Sequence, residues 1–152
     1  MKSNNLTDLI LQYPATQAEE QALIFLDHRG QEKQQWTYAQ LSEICKRVAK
    51  NLLEQSVEKE VVVLAVEDQA KFVPAFFGCI LAGKIPVPFP AIQRKKNRPG
   101  WGRLCTLLAT HPEMNLLVEE MHHSRVAKGL AEENLTPRVY INESLLVPNT
   151  SP

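Results

Sequence analysis

Apolar residues return along this chain at two different spacings, and each switch between them marks an element. Leu6, Leu9, Ile10 and Tyr13 share one helical face, and Pro14 is expected to stop that first amphipathic turn. Residues 22 to 28, Ala-Leu-Ile-Phe-Leu-Asp-His, read as a strand, turned at Arg29-Gly30 into a second strand ending near Trp36. Thr37 with Gln40 forms a capping box. Behind it Leu41, Ile44, Cys45, Val48, Ala49, Leu52 and Leu53 fall on one helical stripe. Val61 to Val66 is a continuous apolar run of the kind seen when a strand is covered on both faces. Asp68 is placed to cap a helix running to about Ala82, with Gly83 as its left-handed stop and Ile85 to Val87 as the next strand.

The alternation then repeats. Gly102 to His111 carries Leu104, Leu107 and Leu108 at helical spacing, and Asn115 to Val118 is a short strand. Residues 122 to 131 read as a helix, Arg138 to Ile141 as a strand, and the tail runs to Pro152. The expected fold class is α/β: an N-terminal β-hairpin followed by a largely parallel sheet with flanking helices. No tandem repeat, low-complexity tract or internal linker interrupts it.

Composition narrows the function classes. With 152 residues, 44% hydrophobic and 22% charged, the chain has the size of one ordinary domain. Such a domain buries roughly 68–70% of its unfolded surface. Seventeen basic side chains balance seventeen acidic ones, which argues against a dedicated nucleic-acid binder. Cys45, Cys79 and Cys105 are odd in number and widely spaced, so neither a disulfide framework nor a zinc site is written in them. No apolar run approaches the ~20 residues of a membrane span, and the first residues lack a signal-peptide core, so a cytoplasmic protein is expected.

The chemical motifs are sparse. Gly100 and Gly102 supply a G-x-G, but Cys105 stands where the third glycine of a dinucleotide fingerprint would be, and no G-K-[ST] exists for a Walker loop. There is no G-x-S-x-G elbow, and the three cysteines lie on apolar helix stripes, where they are expected to be core. His122 and His123 lie near Glu119 and Glu120, but neighbouring helical residues point about 100° apart. A solvated turn is the expectation there, and no metal ligand set is assigned. Arg94-Lys95-Lys96-Asn97-Arg98, with Arg103 beyond, is the strongest charge feature. It reads as a solvated loop, or as an anion site or docking patch for an acidic partner. The helix from Asp68 to Gly83 is apolar nearly all round, through Phe72, Val73, Phe76, Phe77, Cys79, Ile80 and Leu81. Such a helix needs cover on several sides. Either the rest of this chain supplies that cover, or part of the face is meant for residues outside it.

The stretch Phe72-Val73-Pro74-Ala75-Phe76-Phe77-Gly78-Cys79-Ile80-Leu81-Ala82-Gly83-Lys84-Ile85-Pro86-Val87-Pro88 resembles the F-x-x-A-F-F-G-C-x-x-A-G-x-x-x-V-P signature of fatty-acyl-AMP ligases. These belong to the adenylate-forming superfamily of acyl-CoA synthetases, luciferases and peptide-synthetase adenylation domains. Trp36-Thr37-Tyr38 with Leu41 is similar to that family's entry to its first long helix, and Arg94 and Arg103-Leu104 are similar to the Arg-rich loop and helix start that follow. The resemblance covers essentially the whole chain, as the N-terminal subdomain of such an enzyme.

The resemblance implies an enzyme that activates a fatty acid with ATP and Mg²⁺ to an acyl-adenylate and hands the acyl group to an acyl carrier protein. The family's Ser/Thr/Gly-rich phosphate loop, ribose-binding acid and C-terminal lysine have no matching positions here, so no catalytic, cofactor-binding or metal-binding residue carries over. The chain is therefore expected to be one incomplete domain over residues 1–152, truncated or split before the catalytic motifs and inactive by itself. Its expected partners are the missing C-terminal portion, in cis or in trans, and an acyl carrier protein. Phe72, Phe76, Phe77, Gly78 and Gly83 are the candidate acyl-tunnel or core helix; Arg94, Lys95, Lys96, Arg98 and Arg103 are the candidate anion or carrier-protein patch. The alternatives are a non-catalytic binding or regulatory module of the same fold, or an unrelated flavodoxin-like protein. The latter needs a phosphate loop where Glu67-Asp68-Gln69 offers acids.

Overall fold

In the computed structural model, residues 5–55, 61–90, 92 and 99–146 are described. Asn5 caps helix α1 (Leu6–Gln17) through its side chain, which accepts from Asp8 N at 2.9 Å. Pro14 does not stop this helix, contrary to expectation. A proline inside a helix costs about 3 kcal/mol, but here tertiary contacts offset it. Ile10 is buried, and Tyr13 stacks on Tyr38 with centroids 5.3 Å apart. Strands β1 (Gln21–Leu26) and β2 (Glu32–Thr37) pair antiparallel as a hairpin, with Gly30 at φ +76° in the turn. Thr37 and Gln40 form the expected capping box at the start of α2 (Tyr38–Glu54).

Strands β3 (Val61–Ala65), β4 (Ile85–Pro88), β5 (Asn115–Val118) and β6 (Val139–Ile141) form a parallel sheet in the order β4-β3-β5-β6. The connecting helices are α3 (Gln69–Leu81), α4 (Pro99–Thr110) and α5 (Glu120–Glu132). The hairpin and largely parallel α/β architecture expected from the residues is the observed one. A short α6 (Asn142–Leu146), which the periodicity misses, follows β6 and buries Leu145. Its carbonyls are tied to α2: Asn51 Nδ2 donates to Leu145 O at 2.8 Å, and Arg47 Nη1 to Leu146 O at 3.3 Å.

The packing resolves why α3 is apolar nearly all round. On one side Ala75 and Cys79 join Val48, Leu52, Val62, Leu64, Leu117 and Leu145 in the core between α2, α3 and the sheet, with Phe72 and Phe76 packed against it. On the other side Val73, Phe77 and Leu81 pack against the cluster of Ile10, Phe25, Trp36, Leu41 and Cys45 under the hairpin and α1. The helix is thus covered on both sides by this chain's own residues. Gly78 makes the α2–α3 contact close: a Cβ there would lie 2.6 Å from Val48 Cβ and nearer still to its Cγ1. Gly83, at φ +71°, ends α3 in a Schellman turn, with Lys84 N donating to Cys79 O and Gly83 N to Ile80 O. The opposite face of the sheet packs on α4 and α5 through Val63, Leu104, Leu108, Leu116, Val118, Val126 and Leu130.

Candidate functional site

In an open parallel sheet, ligands gather outside the carboxyl ends of the strands where the strand order reverses. Here that point lies between β3 and β5, because the chain runs from β3 outward to β4 and then crosses back. Each strand that ends there is followed by polar residues: Glu67-Asp68 after β3, Glu119-Glu120 after β5 and Asn142-Glu143 after β6. Two helix N-termini, those of α3 and α5, start at this edge and present unpaired N–H groups.

The chain fills those positions with its own carboxylates. Asp68 Oδ1 accepts from Ala70 N at 2.9 Å at the start of α3. Glu143 Oε2 accepts from Glu120 N at 2.7 Å at the start of α5. Glu119 Oε2 accepts from Glu67 N at 3.0 Å, joining the ends of β3 and β5. Lys71 is the shared cation: its Nζ donates to Glu143 Oε1 at 2.8 Å and lies 3.7 Å from Glu119 Oε1. That hydrogen bond is the main reason the Lys71 ammonium is held above its ordinary range, against a smaller opposing effect of burial. Burial pushes the Glu143 carboxyl up, but the Lys71 hydrogen bond, the Glu120 N–H and the Lys71 charge outweigh it and leave the group below its ordinary value.

His122 departs from expectation: it lies in the first turn of α5, buried at 7% exposure, not in a solvated turn. One ligand atom each from Glu67, Glu119 and His122 lie within 4.8 Å of one another. The surroundings do not favour a cation there. Lys71 already neutralises Glu119, and the Arg125 guanidinium lies 3.3 Å from His122 Nδ1. Arginine only donates, so that contact engages the Nδ1 lone pair. The cluster is a network of ion pairs and hydrogen bonds that stitches three strand ends together.

At this edge side-chain carboxylates occupy the Glu67, Ala70 and Glu120 N–H groups. Gly100 and Gly102 lie in the first turn of α4 rather than in a loop after a strand. Of the aromatic candidates, Phe72 and Phe76 stack at 5.9 Å on the sheet side, while Phe77 meets Phe76 edge-on at 5.5 Å and faces the hairpin. Arg103 is exposed on α4; Arg94, Lys95, Lys96 and Arg98 lie outside the described residues. Burial pushes the Cys45 and Cys79 thiols up to about 12. Both are core, and Cys105 is half-buried, packed against the core between the sheet, α4 and α5. The strand-end network escaped the sequence reading, although the recurrent polar pair after each apolar run was its signal.

Residues 12–98 match the AMP-binding enzyme family. The chain belongs to that family. It is 26% identical over 132 residues to the medium-chain-fatty-acid–[acyl-carrier-protein] ligase JamA of Moorena producens, covering 85% of this chain and 22% of JamA. A solved structure from work on fatty acyl-adenylate ligases of E. coli and L. pneumophila is 28% identical with a TM-score of 0.74, over 92% of this chain and 25% of its own. The phenylalanyl-adenylate complex of McyG A-PCP shares the fold at 16% identity, with a TM-score of 0.81 over 95% of this chain and 26% of its own. The chain thus spans about a quarter of the length of these relatives. The resemblance to the N-terminal region of fatty-acyl-AMP ligases and the adenylate-forming fold class both stand. Among the described residues no helix is long and apolar enough to cross a membrane.

Proposed function

We propose that this chain is the N-terminal scaffold of a fatty-acyl-AMP ligase, which activates fatty acids with ATP to acyl-adenylates for transfer to an acyl carrier protein. The similarity to a fatty-acid ligase at 26% identity, across most of this chain but only 22% of the ligase, carries the reading. ATP and Mg²⁺ belong to the complete enzyme and are held by residues outside this chain. That is consistent with a sheet edge whose helix N-termini are filled by Asp68 and Glu143. The chain's contribution is a rigid three-layer support. The remaining portion of the ligase, in cis or in trans, supplies the chemistry, and the cytoplasm is its setting.

Pyrophosphate exchange into ATP in the presence of medium- and long-chain fatty acids tests this. The chain alone gives no exchange, whereas mixing it with a polypeptide carrying the remaining three-quarters of such a ligase restores exchange. Activity of the chain alone would overturn the scaffold reading. Stable folding without complementation would favour the non-catalytic binding module instead.

Arg94, Lys95, Lys96, Arg98 and Arg103 form the proposed dock for an acidic carrier protein. Replacing Arg94, Lys95 and Lys96 by Ala in the complete enzyme weakens carrier-protein binding roughly tenfold at low salt and less at high salt. Unchanged binding in a titration over ionic strength would remove the dock.

A further inference from the structure

The four-stranded sheet has two outer edges, and they differ. Phe89 N donates to Leu64 O, so by the two-residue alternation Pro86 and Pro88 face outward from β4, where neither has an N–H to offer. At the other edge Leu116 N donates to Arg138 O at 2.9 Å, and Leu116 stands opposite Val139. In a parallel ladder that register turns the backbone groups of Arg138 and Tyr140 toward β5 and those of Val139 and Ile141 outward. Ser144 Oγ donates to Ile141 O at 2.6 Å, which leaves three outward groups: the N–H and C=O of Val139 and the N–H of Ile141. Among the described residues none of the three meets a backbone partner.

An open strand edge is ordinarily blunted by proline, by charge, by a bulge or by a covering segment. Val139-Tyr140-Ile141 carries no proline and no charge, pairs in unbroken register and consists of strong strand formers, so its shortness is its one safeguard. Its side chains point the same way. Each of the three is half-buried, whereas all four residues of β5, flanked by strands on both sides, are buried. Tyr140 packs at the margin of the core under α2 and α3, and Val139 at the margin of the core under α4 and α5. Both faces of the sheet run out of cover at β6.

We propose that the outer edge of β6 takes up a strand from the remaining portion of the ligase, which extends the sheet beyond β6. This rests on the scaffold reading above. The chain covers 22% of JamA, so most of such an enzyme lies outside it and is available to pair. Outward N–H and C=O groups at strand spacing are matched by an extended backbone, as when a strand adds to a sheet edge. A second copy is the weaker occupant. Two three-residue strands paired across a two-fold axis fall well short of the roughly 1,200–2,000 Å² that stable interfaces bury. A strand joined covalently to this chain needs no such area, since it pairs at high effective concentration.

Hydrogen–deuterium exchange tests this on two proteins: the full 152-residue chain, and JamA carrying this chain in place of the segment it matches. In the chain alone the Val139 and Ile141 amides exchange freely, while the Tyr140 amide, bonded to β5, is protected. In the chimera Val139 and Ile141 slow at least about a hundredfold. Equal exchange in the two proteins overturns the proposal, and pyrophosphate exchange by the chimera then separates the two readings: activity removes the edge pairing and keeps the scaffold, and its absence removes both. Protection already present in the chain alone that fades on dilution assigns the edge to a second copy and also overturns the proposal. Val139→Pro with Ile141→Pro removes both outward N–H groups and leaves the Tyr140 N–H on β5, and it lowers the chimera's pyrophosphate exchange at least about tenfold. Unchanged activity of that variant overturns the pairing. Should the double variant fail to fold, amide exchange in the native sequence carries the test.

Discussion

Lys71 decides more than any other side chain at the strand ends, because it holds two carboxylates from two different connections. Glu119 is 5% exposed at its side chain, so removal of its cation leaves a buried negative charge on which the Glu67 N–H still donates. Lys71→Met is expected to cost about 2 kcal/mol at pH 7. The pH dependence has a definite sign. The Glu143 carboxyl is lowered on folding, so its contribution is present above the unfolded value of about 4.3 and is lost as pH falls through the folded value. Lys71 is raised, so its contribution is complete below about pH 10.4 and is lost as pH rises through the folded value. Urea unfolding of the native and Lys71→Met chains should therefore differ most at neutral pH and converge in acid. A gap that stayed constant down to pH 2 would assign the loss to packing instead. None of this was legible residue by residue. Lys71, Glu119 and Glu143 are far apart in sequence and meet only because β3, β5 and β6 end at one edge.

At the scale of the element, the outer edge of β4 is defined by what it lacks. Phe89 N donates to Leu64 O at 2.9 Å, so by the two-residue alternation Val87 and Ile85 also turn their backbone groups toward β3. Pro86 and Pro88 then occupy the outward positions, where neither has an N–H to offer another strand. The edge is closed to pairing by its own sequence. Replacing both prolines by Val opens it, and light scattering should show concentration-dependent association of that variant where the native edge resists it. A double variant no more associated than the native chain would show that the prolines do not guard the edge. The elements were largely readable, since Thr37, Asp68 and Gly83 mark helix ends through local hydrogen bonding or backbone conformation alone. Pro14 and α6 were not. Pro14 is carried through its helix by the contacts of Ile10 and Tyr13, and α6 is anchored by Asn51 and Arg47 from the distant α2.

For the whole molecule, two layers meet across α2 and α3, and a thiol reports on each. Cys79 lies on the sheet side and Cys45 on the hairpin side, both fully buried with thiols pushed up to about 12. A reagent that needs thiolate should label Cys105 first at pH 8, and Cys45 and Cys79 only through opening of the fold. If the hairpin layer opens by itself, Cys45 is labelled before Cys79; equal rates mean that the two layers open as one unit. The sequence by itself determined the alternation of strand and helix, the helix caps and the family, because apolar periodicity, capping chemistry and the Phe72–Pro88 block are local patterns. Tertiary structure alone decided that α3 is sheathed on both sides by this chain and that the carboxylates of Glu119 and Glu143 close the strand ends around Lys71. Those outcomes depend on which segments the sheet order brings side by side. The period of a single segment holds no record of its neighbours.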